Sequence, residues 1–290
     1  MDQQNRLFMI DDDSHHYITT PARRWALDKG EIFVVYQPTL RRSGDNGWEM
    51  SGVEALPRWQ HPKRGVLSPD VFMPALEKSG LLAPLSDFVL TESVRQMAAW
   101  QQYGLNISVA VNLCPGLLDD SAFADRLITL LDSHHLDYAK LSLQVGEDSV
   151  LHGSACVLNS LGHLRDEGFG VAIDCFGTGY VSLSQLHHRL PFNELKIDAS
   201  LVQNIRASNA ARVTIHAIIF LAHKLGMSVC ADGVETEYAF SFLSDADCDK
   251  LQGLLVSPAI SAAKLQNQVQ EWCSADPIGA GGKGSSSGAM

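Results

Sequence analysis

The chain has 290 residues, of which 46% are hydrophobic and 19% are charged, and its formal net charge at pH 7 is −11. This composition is typical of a globular protein with a filled core, and it excludes a chain that is disordered throughout. The acidic balance argues against a surface that binds the phosphate backbone of a nucleic-acid polymer, because such a surface requires clustered Lys and Arg.

The cysteines and the apolar runs indicate the compartment. Six cysteines occur without a CxxC pair, and their spacings match no zinc signature, so we interpret most of them as small apolar side chains in a reducing compartment. The start of the chain does not resemble a signal peptide, and no run of about 18 apolar residues is present. We therefore expect a cytoplasmic protein without membrane insertion.

The two ends of the chain differ from the middle in composition. Residues 1–20 are polar and include three consecutive aspartates, Asp11 to Asp13, so a solvated N-terminal lead is expected. Residues 271–290 contain a Gly- and Ser-rich stretch that predicts a flexible tail. Residues 21–270 are left as one folded domain.

Eight strand-like segments alternate with helix-like segments in that domain. The first two strands, 32–37 and 50–56, flank the Gly-containing turn SGDNG, which predicts a hairpin. The other strands are predicted at 108–113, 140–145, 170–174, 194–198, 227–233 and 250–253. The clearest helical patterns lie at 88–103, 121–134, 154–167, 209–225 and 237–243.

The strand segments are continuously apolar, which is typical of strands that helices bury on both faces. Strands separated by helices predict βαβ units and a parallel sheet. About eight strands in about 250 residues favour a closed barrel. No Gly-rich dinucleotide fingerprint follows the first strand, which argues against a Rossmann fold. The predicted fold class is therefore α/β, with a modified TIM-type (β/α)8 barrel.

Polar residues stand near the end of nearly every predicted strand. The carboxyl ends of parallel barrel strands meet at one mouth, so these side chains should converge there. They are Gln37, Glu54, Arg58, Asn112, Gln144, Glu147, Asp174, Cys175, Lys196, Asp198, Asp232, Glu235 and Gln252. Carboxylate and amide oxygens suit Mg²⁺ or Mn²⁺, and Arg58 and Lys196 supply positive charge for an anion. The set predicts metal-assisted chemistry or binding at a phosphate.

Seven segments, in this order, resemble the motifs of the Glu-Ala-Leu (EAL) phosphodiesterases of bacterial cyclic di-GMP signalling. The segments are VVYQP (34–38), GVEALPRW (52–59), VNL (111–113), DCFGTGYVSL (174–183), LKID (195–198), ADGVET (231–236) and LQG…SP (251–258). The resemblance implies a barrel whose first strand is antiparallel and whose ligand is cyclic di-GMP. It also implies that active members hold two Mg²⁺ or Mn²⁺ ions over one phosphate, where a metal-bound hydroxide opens the ring to linear pGpG.

The resemblance also implies a role for each matching residue. Glu54 and Asn112 match ligands of the first metal, Asp174 matches the residue that bridges both metals, and Lys196 matches a lysine near the attacking water. Arg58 matches a phosphate contact. The residues expected to line the nucleotide site are Gln37, Leu56, Asn112, Glu235, Gln252 and Pro258. Glu147 matches a glutamate that steadies the flexible loop 176–183, which contains Thr178 and lies near the family's usual dimer contact.

Three positions depart from the active pattern, which has glutamate, aspartate and glutamate where this chain has Gln144, Cys175 and Asp232. Gln144 lacks a negative charge, and Cys175 offers a soft sulfur that suits zinc or iron only if its surroundings lower the thiol pKa. Asp232 is one methylene shorter than glutamate, and a displacement of about 1 Å can cost roughly 100-fold in rate. The carboxylates expected at the metals fall from five to three.

These departures affect the catalytic apparatus, whereas Gln37, Leu56, Arg58 and Glu235 keep the family types. The favoured prediction is a degenerate phosphodiesterase that binds cyclic di-GMP and reports it to a protein partner as a signalling receptor. Mg²⁺ or Mn²⁺ is expected if the domain is active, and a receptor could hold neither. Two alternatives stay open: an active Mg/Mn-dependent phosphodiesterase, and a nucleotide-independent protein-interaction domain. A homodimer is compatible with each of them.

Overall fold

The computed structural model describes residues 29–44, 47–147, 154–177 and 191–274. Within these ranges the strands are β1 (Ile32–Ser43), β2 (Gly47–His61), β3 (Gly65–Leu67), β4 (Ser108–Asn112), β5 (Leu141–Gly146), β6 (Gly170–Phe176), β7 (Glu194–Ile197), β8 (Ser228–Ala231) and β9 (Lys250–Gln252). The helices there are α1 (Pro69–Glu77), α2 (Leu82–Gln102), α3 (Pro115–Leu118), α4 (Phe123–Ser133), α5 (Ala155–Asp166), α6 (Ala199–Gln203), α7 (Asn209–Lys224), α8 (Glu237–Asp245) and α9 (Ala262–Ser274).

Eight of these strands close into a barrel. From β2 through β4 to β9 each strand is parallel to its neighbour. β1 completes the ring by pairing antiparallel with both β2 and β9, and β3 extends the outer end of β2. The predicted barrel, its antiparallel first strand and the β1–β2 hairpin are therefore confirmed.

The two faces of the barrel strands differ in character. Residues that point outward to the helices are large and aliphatic, such as Val109, Leu143 and Leu195, and each is at most 1% exposed. Inward-facing positions instead carry small residues, among them Ala110 and Ser142. Most TIM-type barrels fill this interior with Val, Ile and Leu. Here the small side chains leave room for long polar side chains that reach inward from several strands.

Capping side chains explain where several helices begin. The hydroxyl groups of Ser154, Ser208 and Thr236 accept hydrogen bonds from the backbone N–H three residues later, which satisfies a donor in the first turn of α5, α7 and α8. These starts agree with the predicted ones to within a residue. α2 begins at Leu82, ahead of the predicted start at Phe88. The prediction placed the start too late because the first turn contains Pro84 and no capping side chain marks it in the sequence.

Four helices were missed by the sequence patterns, namely α1, α3, α6 and α9. α3 and α6 contain only 4 and 5 residues, too few to show a helical period. α9 extends to Ser274, past the expected domain boundary at residue 270. The N-terminal lead, including Asp11 to Asp13, and residues 275–290 lie outside the described residues. Of the helices in the described ranges, none has the length and apolar character needed to cross a bilayer.

Candidate functional site

Glu54 of β2 lies at the centre of the polar mouth, and its side chain is 5% exposed. Three side chains donate a hydrogen bond to its carboxylate, each at 2.6 Å. The donors are Asn112 Nδ2, Lys196 Nζ and Gln252 Nε2. The barrel therefore brings together polar residues from β2, β4, β7 and β9 that lie far apart in the chain, as their places near the strand ends predicted.

The ammonium group of Lys196 is enclosed by carboxylates. Besides its bond to Glu54, Lys196 Nζ lies 3.4 Å from Asp232 Oδ2 and 4.0 Å from Asp174 Oδ1, and its side chain is 2% exposed. Burial by itself would lower the pKa of Lys196, but the three carboxylates together hold that pKa well above its usual value. Lys196 is therefore charged, and three carboxylates surround it.

Two of the carboxylates around Lys196, those of Glu54 and Asp174, have pKa values that are shifted in opposite directions. Burial would raise the pKa of Glu54, but the charge of Lys196 and the three hydrogen bonds outweigh burial and lower that pKa. For Asp174, burial dominates over the more distant Lys196, and repulsion from Glu54 adds to it, so the pKa of Asp174 is raised. Glu54 is thus the firmly ionised partner of the lysine.

Cys175 lies at an irregular point in the sheet. The register between β6 and β7 shifts between Ile173 and Phe176, and Cys175 has a φ of 58°, which is uncommon for a residue with a side chain. Its backbone N–H donates to Asp174 Oδ1 at 2.8 Å and so orients that carboxylate. Desolvation and the negative charges of Asp174 and Asp198 raise the pKa of the Cys175 thiol to about 12. The lowered thiol pKa that a zinc or iron ligand would need is therefore not found.

Gln144 of β5 contains a buried oxygen with no donor. The residue is 3% exposed, and it lies opposite Asn112 in the β4–β5 register, on the inward face of the barrel. Within the described residues, Gln144 Oε1 has no hydrogen-bond partner. Buried polar atoms are nearly always paired in folded proteins, so this oxygen is an open position for a donor or a cation.

Gln37 is linked to the centre of the mouth through Gln252. Gln252 Nε2 donates to Gln37 Oε1 at 3.3 Å as well as to Glu54, while Gln37 Nε2 donates to the carbonyl oxygen of Ser257 at 3.1 Å. Thr39 Oγ1 donates to Gln252 Oε1 at 3.4 Å. Gln252 is 2% exposed, so in this structure it orients Gln37 and Glu54 from the interior. The sequence patterns missed Thr39 and Ser257, although Thr39 follows Gln37 by two residues on the same strand face.

Four more predicted residues lie around the rim of the mouth. Leu56 and Arg58 are partly exposed on β2, and Arg58 Nη1 donates to the carbonyl oxygen of Pro57 at 2.8 Å. Desolvation lowers the pKa of Arg58, against the attraction of Asp70 and Glu54, yet an arginine stays protonated in proteins. Glu235 and Pro258 are exposed on the loops after β8 and β9. They do not take part in the hydrogen bonds to Glu54, and Glu235 Oε1 instead accepts from Gln203 Nε2 at 3.3 Å.

Glu147 is buried at the end of β5, where it contacts the segment that follows β6. Its Oε2 accepts a hydrogen bond from the backbone N–H of Gly177 at 3.2 Å, and Gly177 has a φ of 102°. The bond holds the first residue after β6 against β5. Thr178 lies outside the described residues, so its predicted role in the loop stays a prediction.

The donor set fits one hard dication better than a pair. Among the described residues, no group of three or more His, Cys, Asp or Glu side chains is placed to hold a metal ion. Beside Glu54, the amides of Asn112 and Gln144 add neutral oxygens of the kind that Mg²⁺ and Mn²⁺ accept. Where the family resemblance expects a second aspartate, this chain has Cys175, whose soft sulfur does not suit a hard cation. The chemistry of these side chains therefore fits a second hard dication poorly.

The fold and the mouth together define a β/α-barrel domain of the type that places carboxylates, amides and a lysine at the carboxyl ends of its strands. Residues 22–259 match the EAL domain family, and the chain belongs to that family. The resemblance noted in the sequence motifs is thereby confirmed.

Two curated relatives come from Pseudomonas aeruginosa. Cyclic di-GMP phosphodiesterase PA2567 is 34% identical over 239 residues, which is 82% of this chain and 39% of the relative. The bifunctional diguanylate cyclase/cyclic di-GMP phosphodiesterase MucR is 36% identical over 243 residues, 83% of this chain and 35% of the relative. The chain thus spans little more than a third of these relatives. The solved PaMucR phosphodiesterase in complex with c-di-GMP has a TM-score of 0.77 at 35% identity, covering 84% of this chain and 97% of that one.

Proposed function

We propose that this EAL domain binds cyclic di-GMP at the barrel mouth and hydrolyses it slowly or not at all, so that it acts as a receptor. The observation that carries the proposal is the contrast between the two parts of the mouth. The residue types that the family resemblance expects to contact the nucleotide are present at the rim, while Gln144 and Cys175 stand where the resemblance expects carboxylates of the metal site. The complex of PaMucR with c-di-GMP supports binding at a domain of the same fold.

Nucleotide binding is supported by the chemistry of the rim. Arg58 is a partly exposed cation, and a guanidinium group recognises phosphate oxygens through paired hydrogen bonds. Leu56 lies two residues before Arg58 and offers apolar surface to a base. Gln37 is held by Ser257 and Gln252, so its amide is already oriented before a ligand arrives. Glu235 adds an exposed acceptor for the N–H groups of a guanine.

Weak hydrolysis is supported by the groups around Lys196. A metal pair in active members supplies an activated water and stabilises the charge that develops on the phosphate. Asp232 in this chain is bound to its own neighbour, since its Oδ1 accepts from the backbone N–H of Gly233 at 2.6 Å and its Oδ2 lies near Lys196. Burial and the neighbouring carboxylates raise the pKa of the Cys175 thiol to about 12, and Gln144 is uncharged. The side chains that would position an attacking water are therefore shortened, neutral or already engaged.

The remaining parts of the proposal concern the cellular role. We place the domain in the cytoplasm, where it would meet a soluble second messenger, and we propose a protein partner that distinguishes its bound form from its free form. A homodimer is compatible with this role. The surface that differs between the free and the nucleotide-bound domain is expected at the rim, because Arg58, Glu235 and Pro258 are all at least partly exposed there.

A single experiment separates the three functions. Cyclic di-GMP is titrated calorimetrically into the chain with Mg²⁺ and then with Mn²⁺, and the ligand is afterwards analysed by chromatography. Saturable binding with the dinucleotide intact is expected. Rapid formation of pGpG would contradict the receptor and favour the phosphodiesterase activity named for PA2567 and MucR. A titration that shows no heat of binding would favour the nucleotide-independent interaction domain.

Restoring the altered residues tests the cause of the weak hydrolysis. The triple variant Gln144→Glu, Cys175→Asp and Asp232→Glu is expected to form pGpG in Mg²⁺ or Mn²⁺ while it still binds cyclic di-GMP. Glu49→Gln serves as the control, because Glu49 is an exposed carboxylate on the β1–β2 hairpin, paired with Arg41. A triple variant that binds but gains no turnover would show that the defect lies elsewhere.

A further inference from the structure

A chain of hydrogen bonds runs from β1 across the barrel interior to the loop after β9. Thr39 Oγ1 donates to Gln252 Oε1 at 3.4 Å, and Gln252 Nε2 donates to Gln37 Oε1 at 3.3 Å. Gln37 Nε2 then donates to the carbonyl oxygen of Ser257 at 3.1 Å. Every donor in this chain points the same way, away from the hydroxyl group of Thr39. Hydrogen bonds arranged head to tail polarise one another and favour a single arrangement of their members.

The direction of the Gln252 amide is set at both of its ends. Its Nε2 faces Glu54 Oε2 at 2.6 Å as well as Gln37 Oε1, so an oxygen turned to that side would face two acceptors. Its Oε1 faces the hydroxyl group of Thr39, and the residue is only 2% exposed. Thr39 therefore satisfies an acceptor that water reaches poorly, and loss of the hydroxyl group would remove that partner.

The strands hold Thr39 at the place where this contact forms. Thr39 lies directly opposite Gln252 in the β1–β9 pairing. The register of β1 against β2 shifts between Thr39 and Leu40, and the backbone oxygen of Thr39 accepts a hydrogen bond from Ser51 Oγ at 3.1 Å. The backbone of Thr39 is thus held by both neighbouring strands, and its hydroxyl group reaches Gln252 from a fixed position.

Gln37 is the member of the chain that the proposed function brings to the nucleotide. A side-chain amide has an oxygen with two lone pairs and a nitrogen with two N–H groups. The chain uses one lone pair of Gln37 Oε1 and one N–H of Gln37 Nε2, so one acceptor position and one donor position remain. If the amide of Gln252 turned over, Gln37 would have to turn as well, and the two remaining positions would exchange places.

We propose that Thr39 is a positioning residue of the mouth: its hydroxyl group fixes the direction of the Gln252 and Gln37 amides, and thereby the donor and the acceptor that Gln37 offers to cyclic di-GMP. Thr39 acts on affinity through preorganisation, because amides that are already oriented lose less freedom when the ligand binds. This inference rests on the proposed function for the identity of the ligand, but not for the direction of the amides.

Calorimetry with cyclic di-GMP measures the effect of Thr39 on affinity. Thr39→Val keeps the shape of the side chain without its hydroxyl group, and it is expected to weaken binding about 3- to 10-fold, the range for immobilising one flexible side chain. Thr39→Ser is expected to restore most of the affinity. Ser51→Ala is the matched control, because it removes a hydroxyl group that is bonded to the backbone of Thr39 but lies outside the chain of amides. Gln37→Ala is expected to weaken binding less in Thr39→Val than in the unaltered chain, whereas a purely structural defect would leave the two losses independent.

NMR spectra of the free chain with ¹⁵N-labelled glutamine test the direction of the amides without nucleotide. The side-chain N–H signals of Gln37, identified by their loss in Gln37→Ala, are expected to exchange slowly with water, faster in Thr39→Val, and slowly again in Thr39→Ser. In a chain that binds the nucleotide, an exchange rate or an affinity that is unchanged in Thr39→Val would overturn the inference alone. A chain that binds no cyclic di-GMP, but whose Gln37 exchange depends on Thr39, would overturn the proposed function alone.

Discussion

Replacing Lys196 by methionine tests the centre of the mouth. The side chains of Lys196 and Glu54 are 2% and 5% exposed, and their charged atoms are 2.6 Å apart. Lys196→Met keeps most of the volume but leaves Glu54 buried with only two amide donors, near two other carboxylates. Removing one partner of a buried ion pair typically costs about 3–5 kcal/mol of unfolding free energy. For a domain of this size, that loss lowers the thermal midpoint by about 6–20 °C.

The pair is isolated by a double-mutant cycle in urea. Glu54→Gln alone leaves Lys196 with its two more distant carboxylates, and the double variant removes both charges of the pair. The double variant is expected to lose less than the sum of the single losses, by about 1–3 kcal/mol, since neither charge is then left uncompensated. Arg41 and Glu49 are the matched exposed pair, with side chains 59% and 42% exposed, and removing either is expected to cost less than about 1 kcal/mol.

The pH dependence of the unfolding free energy tests the same ion pair, because the chain and the Lys196→Met variant should change in opposite directions. Because the pKa of Glu54 is lowered in the folded chain, its contribution to stability is present above its unfolded pKa, near 4.5, and is lost as the pH falls through the folded value. In Lys196→Met, burial raises the pKa of Glu54, so stability should instead increase as the pH falls through that raised value. If Lys196→Met lowers the unfolding free energy by less than about 1 kcal/mol and keeps the original pH profile, the ion pair is not the centre of the site.

Three further predictions test the surroundings of this centre. Arg58→Ala is expected to weaken cyclic di-GMP binding by about 1.5–3 kcal/mol in calorimetry, as for a hydrogen bond to a charged group, and unchanged affinity would remove Arg58 from the ligand site. Gly253→Ala places a Cβ 2.3 Å from the backbone of Val234 and should cost at least about 2 kcal/mol in thermal unfolding, against about 1 kcal/mol for the Gly104→Ala control, which meets nothing within 4 Å. Cys175 is exposed, but its thiol pKa is about 12, so peptide mapping should show far slower alkylation at pH 8 than for an ordinary thiol, and fast alkylation would contradict the raised pKa.

The barrel was predictable because its signals are local. Outward-facing aliphatic residues on each strand and helical periods between strands appear within short windows of sequence, and the SGDNG turn indicated the hairpin that closes the ring. The small inward residues were part of the same apolar segments, so their different role was not visible. Whether Ala110 faces a helix or the barrel interior depends on the register of its strand, which only the closed barrel fixes.

The site was predictable as a set of residues but not as a set of contacts. Strand ends and motifs identified Glu54, Asn112, Lys196 and Gln252, because barrel topology places strand ends at one mouth. The bond from Gln252 to Glu54 joins residues 198 positions apart, and its existence depends on side-chain orientations that no local pattern encodes. The positive φ of Cys175 is also hidden, since the register shift beside it arises from pairing with β7.

The substitutions around Lys196 are consistent with one another in physical terms. Several buried carboxylates facing a single lysine repel each other, and the raised pKa of Asp174 is one consequence of that repulsion. Gln144 and Cys175 each remove one such charge, and Asp232 turns one oxygen to the backbone of Gly233. Under the proposed function, a mouth with fewer carboxylates carries less mutual repulsion in the absence of metal, so nucleotide binding should depend less on metal concentration than hydrolysis does. Calorimetric titration of cyclic di-GMP with and without a chelator measures this dependence, and loss of binding in the chelator would contradict it.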